Sequence, residues 1–217
     1  MIRSLLHKTK QALYHTFRLY PVYRILARIN ARFPLKGCHA LEAFAFTGAL
    51  QARAYKQYPA YHEAWEISGD CREPLKKNLP GAVIKITNSF SEVLTCSHKF
   101  NFINVDTHQG LFGDYCENFE FFPLLFRVAQ DECIVNLNVI PHAGEDWKKR
   151  YPDLFNAEHL ARRKAFYGAP DPANVSFEQM LAAYSRIAGE HGYEITWHAV
   201  EQRTLTYYLA LHLKKKV

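Results

Sequence analysis

Three carboxylates close short apolar runs in this 217-residue chain: Glu42 in "ALEAFAFTG", Glu66 in "AWEIS" and Asp106 in "FINVD". A further run, "VIKITNS", ends instead in Asn88-Ser89. Ionised carboxylates only accept hydrogen bonds, whereas an Asn both accepts and donates, so this set suits the hydroxyl and amino groups of a nucleoside-type ligand. Two histidines, His108 and His142, follow the later runs. Histidine titrates near neutral pH, which makes this pair, with Asp106, the candidate general bases. Asp114, Tyr115 and Glu117 belong to "DTHQGLFGDYCENFEFFP", where Gly110 and Gly113 suggest a loop that moves over a bound molecule.

Residues so far apart can act together only if elements bring them to one rim. The apolar content of His39 to Ala43 predicts a strand, and Ala49 to Tyr58 reads as a helix ended by Pro59. The same reading gives strands at Ala64 to Ile67, Val83 to Ile86, Phe102 to Val105 and Cys133 to Val139. Helices fall between them at Asp70 to Leu79, Ser89 to Thr95 and Phe119 to Ala129. This alternation specifies parallel βαβ units with right-handed crossovers. In such a sheet ligands bind beyond the carboxyl ends of the strands, where Glu42, Glu66, Asn88 and Asp106 all fall.

Residues 141 to 175 are polar and proline-bearing, with a helix at Ala157 to Tyr167, and read as an insertion or lid. Phe177 to His191 is a helix with Ser176 as N-cap, Glu178 in its first turn and Gly192 as its stop. Glu194 to Val200 and Leu205 to Leu213 then pair as an antiparallel hairpin. The expected fold is α/β: a mostly parallel seven-stranded sheet with a C-terminal antiparallel hairpin and helices on both faces.

Composition narrows the class. With 48% hydrophobic and 22% charged residues the chain is an ordinary globule, long enough for one core. No apolar run approaches the roughly 20 residues of a membrane span, and no signal-peptide pattern opens the chain, so a cytoplasmic protein is expected. Five cysteines without a CxxC pair argue against a disulfide framework and a structural zinc site. Eleven histidines lack HxH or HExxH spacing, and no metal is expected.

The net charge of +6 is uneven. Residues 3 to 36 hold eight Lys or Arg and no acid, and the chain closes on Lys214-Lys215-Lys216. Residues 1 to 36 read as two amphipathic helices broken at Pro21, ahead of a main domain at 37 to 217. Their basic face could meet anionic lipid or a phosphate backbone; packing on the domain with the charges solvated is the simpler use.

The order of these elements, with "ALEAFAFTG", "AWEIS", "KITNSF", "FINVD" and "VNLNVIP", resembles the class I S-adenosylmethionine-dependent methyltransferases over residues 38 to 213. The resemblance implies a Rossmann-like fold with S-adenosylmethionine as cofactor. It implies that Glu42 faces the methionine amino group, that Gly48 keeps the loop clear for the cofactor, and that Glu66 takes both ribose hydroxyls. Phe44, Thr47, Ile67, Asn88, Ser89 and Asp106 complete the implied cofactor site, with Asn88 where the family often has an acid for adenine. One glycine stands where the family commonly has two or three, and Phe44 and Phe46 offer aromatic surface that a sulfonium could use through cation–π attraction. Asp106, His108 and His142 are then catalytic candidates, and Asp114, Tyr115 and Glu117 acceptor-binding ones.

The stretch from Val105 to Ala129, with "LNVIP" and the basic N-terminus, also resembles methyltransferases of bacterial surface-polysaccharide biosynthesis. That likeness implies a small-molecule or glycan acceptor, a sugar hydroxyl, and a use for the basic helices at the inner face of the membrane. The absence of "NPPY" or "DPPY" shifts weight from nucleobase methylation, although an RNA or DNA methyltransferase stays open. A non-catalytic cofactor-binding module of the same fold also stays open.

Overall fold

The computed structural model describes residues 21–54, 58–106, 118–140, 149, 157–203 and 206–217. Seven strands form one sheet: β1 His39–Ala43, β2 Tyr61–Glu66, β3 Val83–Ile86, β4 Phe100–Val105, β5 Ala129–Val139, β6 Tyr193–Arg203 and β7 Thr206–Lys215. Their order is β3-β2-β1-β4-β5-β7-β6. The first five are parallel, and β7 lies antiparallel to both β5 and β6. The chain thus starts at the centre, winds outward on one side, returns, and winds outward on the other. The strand order reverses between β1 and β4, which opens a crevice at the carboxyl rim.

One helical layer holds α1 (residues 21–32), α2 (Ala49–Ala54) and α3 (Arg72–Asn78). Val22, Ile25, Leu26 and Ile29 of α1 are buried with Ala40, Phe102, Ile134 and Tyr208, while Leu75 and Leu79 pack under Ala45 and Ala64. The opposite layer holds α4 (Ser89–Thr95), α5 (Asn118–Leu125), α6 (Ala157–Tyr167) and α7 (Phe177–Glu190). It covers the larger core around Trp65, Phe100, Phe121, Phe122 and Tyr184. The apolar side of α1 is therefore spent on the sheet, and Pro21 is the first of its described residues. Residues 1–20 lie outside the described residues.

The expected elements are present, with shifted limits. β2 begins at Tyr61, three residues before the sequence-based start, because its polar residues satisfy one another: Glu63 accepts from Tyr61 Oη and Trp65 Nε1, each at 2.6 Å, and pairs with Lys85 at 2.5 Å. Ile67 lies beyond the strand. A 3-10 turn, Gly69–Cys71, precedes α3 where one helix is expected from Asp70. α5 ends at Leu125, and Ala129 opens β5 instead of closing the helix, since Phe100 of β4 needs it as a partner. α7 carries a full capping box: Ser176 Oγ accepts from Gln179 N at 3.2 Å, and Gln179 Oε1 accepts from Ser176 N at 2.9 Å.

Candidate functional site

The loop from β1 to α2 is built on left-handed backbone. Phe44 has φ 59°, Phe46 φ 48° and Gly48 φ 67°, so two aromatics hold a conformation that favours glycine. The conformation aims the loop's N–H groups. Ala45 N donates to Trp65 O at 2.8 Å, Phe44 N to Ser89 Oγ at 3.3 Å, and Phe46 N to Glu66 Oε2 at 2.7 Å. Ser68 N donates to the other oxygen, Glu66 Oε1, at 2.9 Å. Glu66 is therefore fixed at the end of β2 by two backbone donors, with lone pairs left on both oxygens.

The two aromatics divide their roles. The Phe44 ring packs edge-on against Phe121 and Phe90, with centroids 5.0 and 5.8 Å away, and serves the core. Phe46 is 52% exposed, and Ile67 beside Glu66 is 68% exposed. Together they leave apolar surface on either side of the Glu66 carboxylate. Gly48 is required for a different reason from the expected one: a Cβ there would meet Leu79 at 2.9 Å and Leu75 at 3.1 Å. The space it keeps is occupied by α3, and its positive φ adds a second constraint. Thr47 O accepts from Asn78 Nδ2 at 2.8 Å, tying the loop to the same helix.

Glu42 is fully enclosed, at 0% exposure. Its Oε2 accepts from Asn104 Nδ2 at 2.8 Å, and Asn104 Oδ1 accepts from Asn136 Nδ2 at 2.8 Å. The register places Glu42 beside Asn104 and Asn104 beside Asn136, so the three form a polar row across β1, β4 and β5. Burial raises the Glu42 pKa well above its ordinary value; the amides of Asn104 and Gln51 pull it back, and Asp106 pushes it up further. Oε1 has no hydrogen-bond partner among the described residues. That buried oxygen is what Glu42 has to offer to a ligand's amino group.

At the end of β3, Asn88 caps α4 through Oδ1, which accepts from Phe90 N at 2.9 Å. Its amide Nδ2 has no partner among the described residues, so toward a ligand it is a donor first. Ser89 is buried, and its hydroxyl is engaged by the loop. Asp106 is half-buried just past β4, close enough to Glu42 to raise its pKa. His108, Asp114, Tyr115, Glu117 and His142 lie outside the described residues.

Glu42, Glu66, Asn88, Ser89 and Asp106 thus gather at the carboxyl ends of β1 to β4, as the sequence predicts. Gln51, Asn104 and Asn136 behind Glu42 are additions from the structure. Alternation within "NFINV" and "VNLNV" contained the signal: a buried amide inside an apolar strand needs a polar partner on the neighbouring strand. A second polar pair lies nearby, where Asn118 at the start of α5 donates to Asn138.

Two other features lie apart from this site. Glu63, Glu92 and Cys96 converge closely enough to hold a metal, but Lys85 already supplies the cation, at 2.5 Å from Glu63 and 2.8 Å from Glu92. A cavity of about 760 Å3 opens on the opposite, amino-end rim between Phe33, Lys99, Phe126, Glu132, His191 and His212. Its polar walls are largely satisfied internally, as where His212 Nε2 meets Glu132 Oε1 at 2.9 Å.

No family model and no curated protein sequence matches the chain. Solved structures do. Trm1 from Pyrococcus horikoshii in complex with S-adenosyl-L-methionine aligns over 92% of this chain and 55% of its own, with 15% identity and a TM-score of 0.61. A magnesium protoporphyrin IX methyltransferase from Synechocystis PCC 6803 with bound SAH aligns over 93% of this chain and 84% of its own, with 16% identity and a TM-score of 0.56. The ribosomal protein L11 methylase from Lactobacillus delbrueckii subsp. bulgaricus aligns over 89% and 77%, with 12% identity and a TM-score of 0.52. The chain has the class I methyltransferase fold. Identity this low establishes the fold alone. The descriptions of the last two name different acceptors, a magnesium porphyrin and a ribosomal protein, and the likeness to surface-polysaccharide enzymes finds no support among these structures.

Proposed function

We propose that this protein is a methyltransferase that binds S-adenosylmethionine at the carboxyl rim of β1, β2 and β3. The observation that carries the reading is the Glu66 carboxylate, held by Phe46 N–H and Ser68 N–H at the mouth of a left-handed loop and flanked by exposed Phe46 and Ile67. Its remaining lone pairs suit two vicinal hydroxyls of a ribose, and the apolar flanks suit an adenine face. Asn88 Nδ2 would donate to a ring nitrogen, and Glu42 Oε1 would meet the methionine amino end. Bound solved structures of the same fold, Trm1 with S-adenosyl-L-methionine among them, add to the case.

When bound, the cofactor supplies a methyl carbon activated by positive sulfur. The chain then has to align an acceptor in line with that carbon and exclude water. For the acceptor we infer a small molecule or glycan that offers a hydroxyl, with Asp106, His108 or His142 taking the proton as the oxygen–carbon bond forms. Asp114, Tyr115 and Glu117 are the proposed acceptor contacts.

Titration calorimetry with S-adenosylmethionine tests the reading. Wild type should bind with one site, and Glu66→Ala should bind more weakly by roughly a hundredfold or more, because two hydrogen bonds to a charged acceptor are lost. Glu66→Gln, which keeps an acceptor for the loop, should fall between them. A folded wild-type protein that takes up no cofactor ends the proposal.

A further inference from the structure

The two helical layers differ sharply in charge. On the α4 to α7 side, Arg162 pairs with Glu120 and Glu158 and Arg186 with Glu190, which leaves Lys164 as the exposed cation of these helices without an ion-pair partner among the described residues. On the α1 to α3 side, Arg32, Lys36, Arg53, Arg72 and Lys77 are exposed and have no ion-pair partner among the described residues. The exposed acids of that layer are Asp70 and Glu73, and Glu73 pairs with Lys76 at 2.8 Å. Among the described residues, the unpaired positive charge of the helices is therefore concentrated on one layer.

We infer that the α1–α2–α3 face is a docking surface for an anionic membrane. The cations are spread over helices that cover a seven-stranded sheet, about 29 Å across at the usual strand spacing. That is a broad array instead of a groove, and it matches a planar charged surface better than the curved backbone of a nucleic acid. The sequence ahead of α1 points the same way. Residues 1–20 add Arg3, Lys8, Lys10 and Arg18 without an acid. In this orientation the sheet lies parallel to the bilayer, one helix diameter above it, and the carboxyl rim opens sideways along the headgroups. A lipid-linked acceptor would reach it there, a consequence that rests on the proposed function, whereas the docking itself does not.

Cosedimentation of the full chain with vesicles tests this inference. Binding is expected to phosphatidylcholine vesicles that contain phosphatidylglycerol, not to phosphatidylcholine alone, and it should fade with salt. Each neutralised residue should weaken partition by roughly fivefold, so Arg53→Gln/Arg72→Gln/Lys77→Gln, on α2 and α3, should cost about two orders of magnitude. Calorimetry on the same triple variant should show cofactor binding unchanged, which separates this test from the first. The inference is overturned if anionic vesicles are not bound or if the triple variant binds them as wild type does. It is also overturned if duplex RNA at the same salt displaces the vesicles, which would reassign the face to nucleic acid.

Discussion

Phe46 shows how a single residue can disclose a site. Bulky side chains in left-handed backbone cost about 1–2 kcal/mol, and this ring recovers little by burial because half of it is in solvent. Its N–H needs that conformation to reach Glu66. Asn tolerates the same backbone and would keep the N–H in place. Phe46→Asn should therefore raise the unfolding free energy by about 1 kcal/mol in urea titrations without ligand, and should weaken cofactor binding in calorimetry by removing the apolar flank. A variant that is more stable and binds as well would show that the ring has no part in the cleft. The sequence marked this stretch through its unusual aromatics, but it did not separate Phe44, whose ring joins Phe90 and Phe121, from Phe46, which stays outside. The two have the same residue type and similar φ, and only the neighbouring helices distinguish them.

At the scale of elements, α1 is attached by apolar burial on one side and by charge on the other. Glu201 of β6 is nearly enclosed and meets Arg24 at 3.0 Å and Arg28 at 3.2 Å, and Arg28 also donates to Val200 O at 3.0 Å. Both arginines are about half exposed, so solvent screens much of each pair. Glu201→Ala should destabilise the protein by about 1–2 kcal/mol. Hydrogen exchange should accelerate in residues 21–32 while β1 and β4 stay protected. Uniform loss of protection would instead mean that α1 and the sheet open as one unit. The amphipathic period of this helix was readable in the sequence; its partner across the sheet was not, because Arg24 and Glu201 are far apart in the chain.

Two buried groups on the same sheet face, His62 and Glu42, make the stability of the molecule depend on pH in opposite directions. Burial lowers the His62 pKa from 6.5 to about 4. Its contribution to stability is present above pH 6.5 and is lost as pH falls toward 4, where the folded state resists the proton that the unfolded chain accepts. Glu42 acts in the opposite sense. Its raised pKa means that its contribution is complete below the unfolded value of 4.5 and is lost as pH rises through the folded value, when a charge must be held without water. Glu42→Gln keeps a polar partner for Asn104 and removes that penalty. In urea titrations across pH, its stability relative to wild type should grow as pH rises above about 4.5. A constant difference would show that Glu42 is not the responsible group.

The sequence by itself determined the order of elements, the parallel half of the sheet and the terminal hairpin, since these follow from local hydrophobic period and from connection length. It also determined which strand ends carry Glu42, Glu66, Asn88 and Asp106. Tertiary structure alone decided the surroundings of each. Glu66 is fixed at the end of β2 because loop amides on both sides reach it. Glu42, similar in its local sequence, is enclosed because Asn104 and Asn136 lie beside it in register. Gly48 leaves room for α3, because a Cβ there would meet Leu75 and Leu79. These partners lie on strands and helices remote in sequence, and burial and electrostatic environment are set by whatever the fold places within a few ångströms.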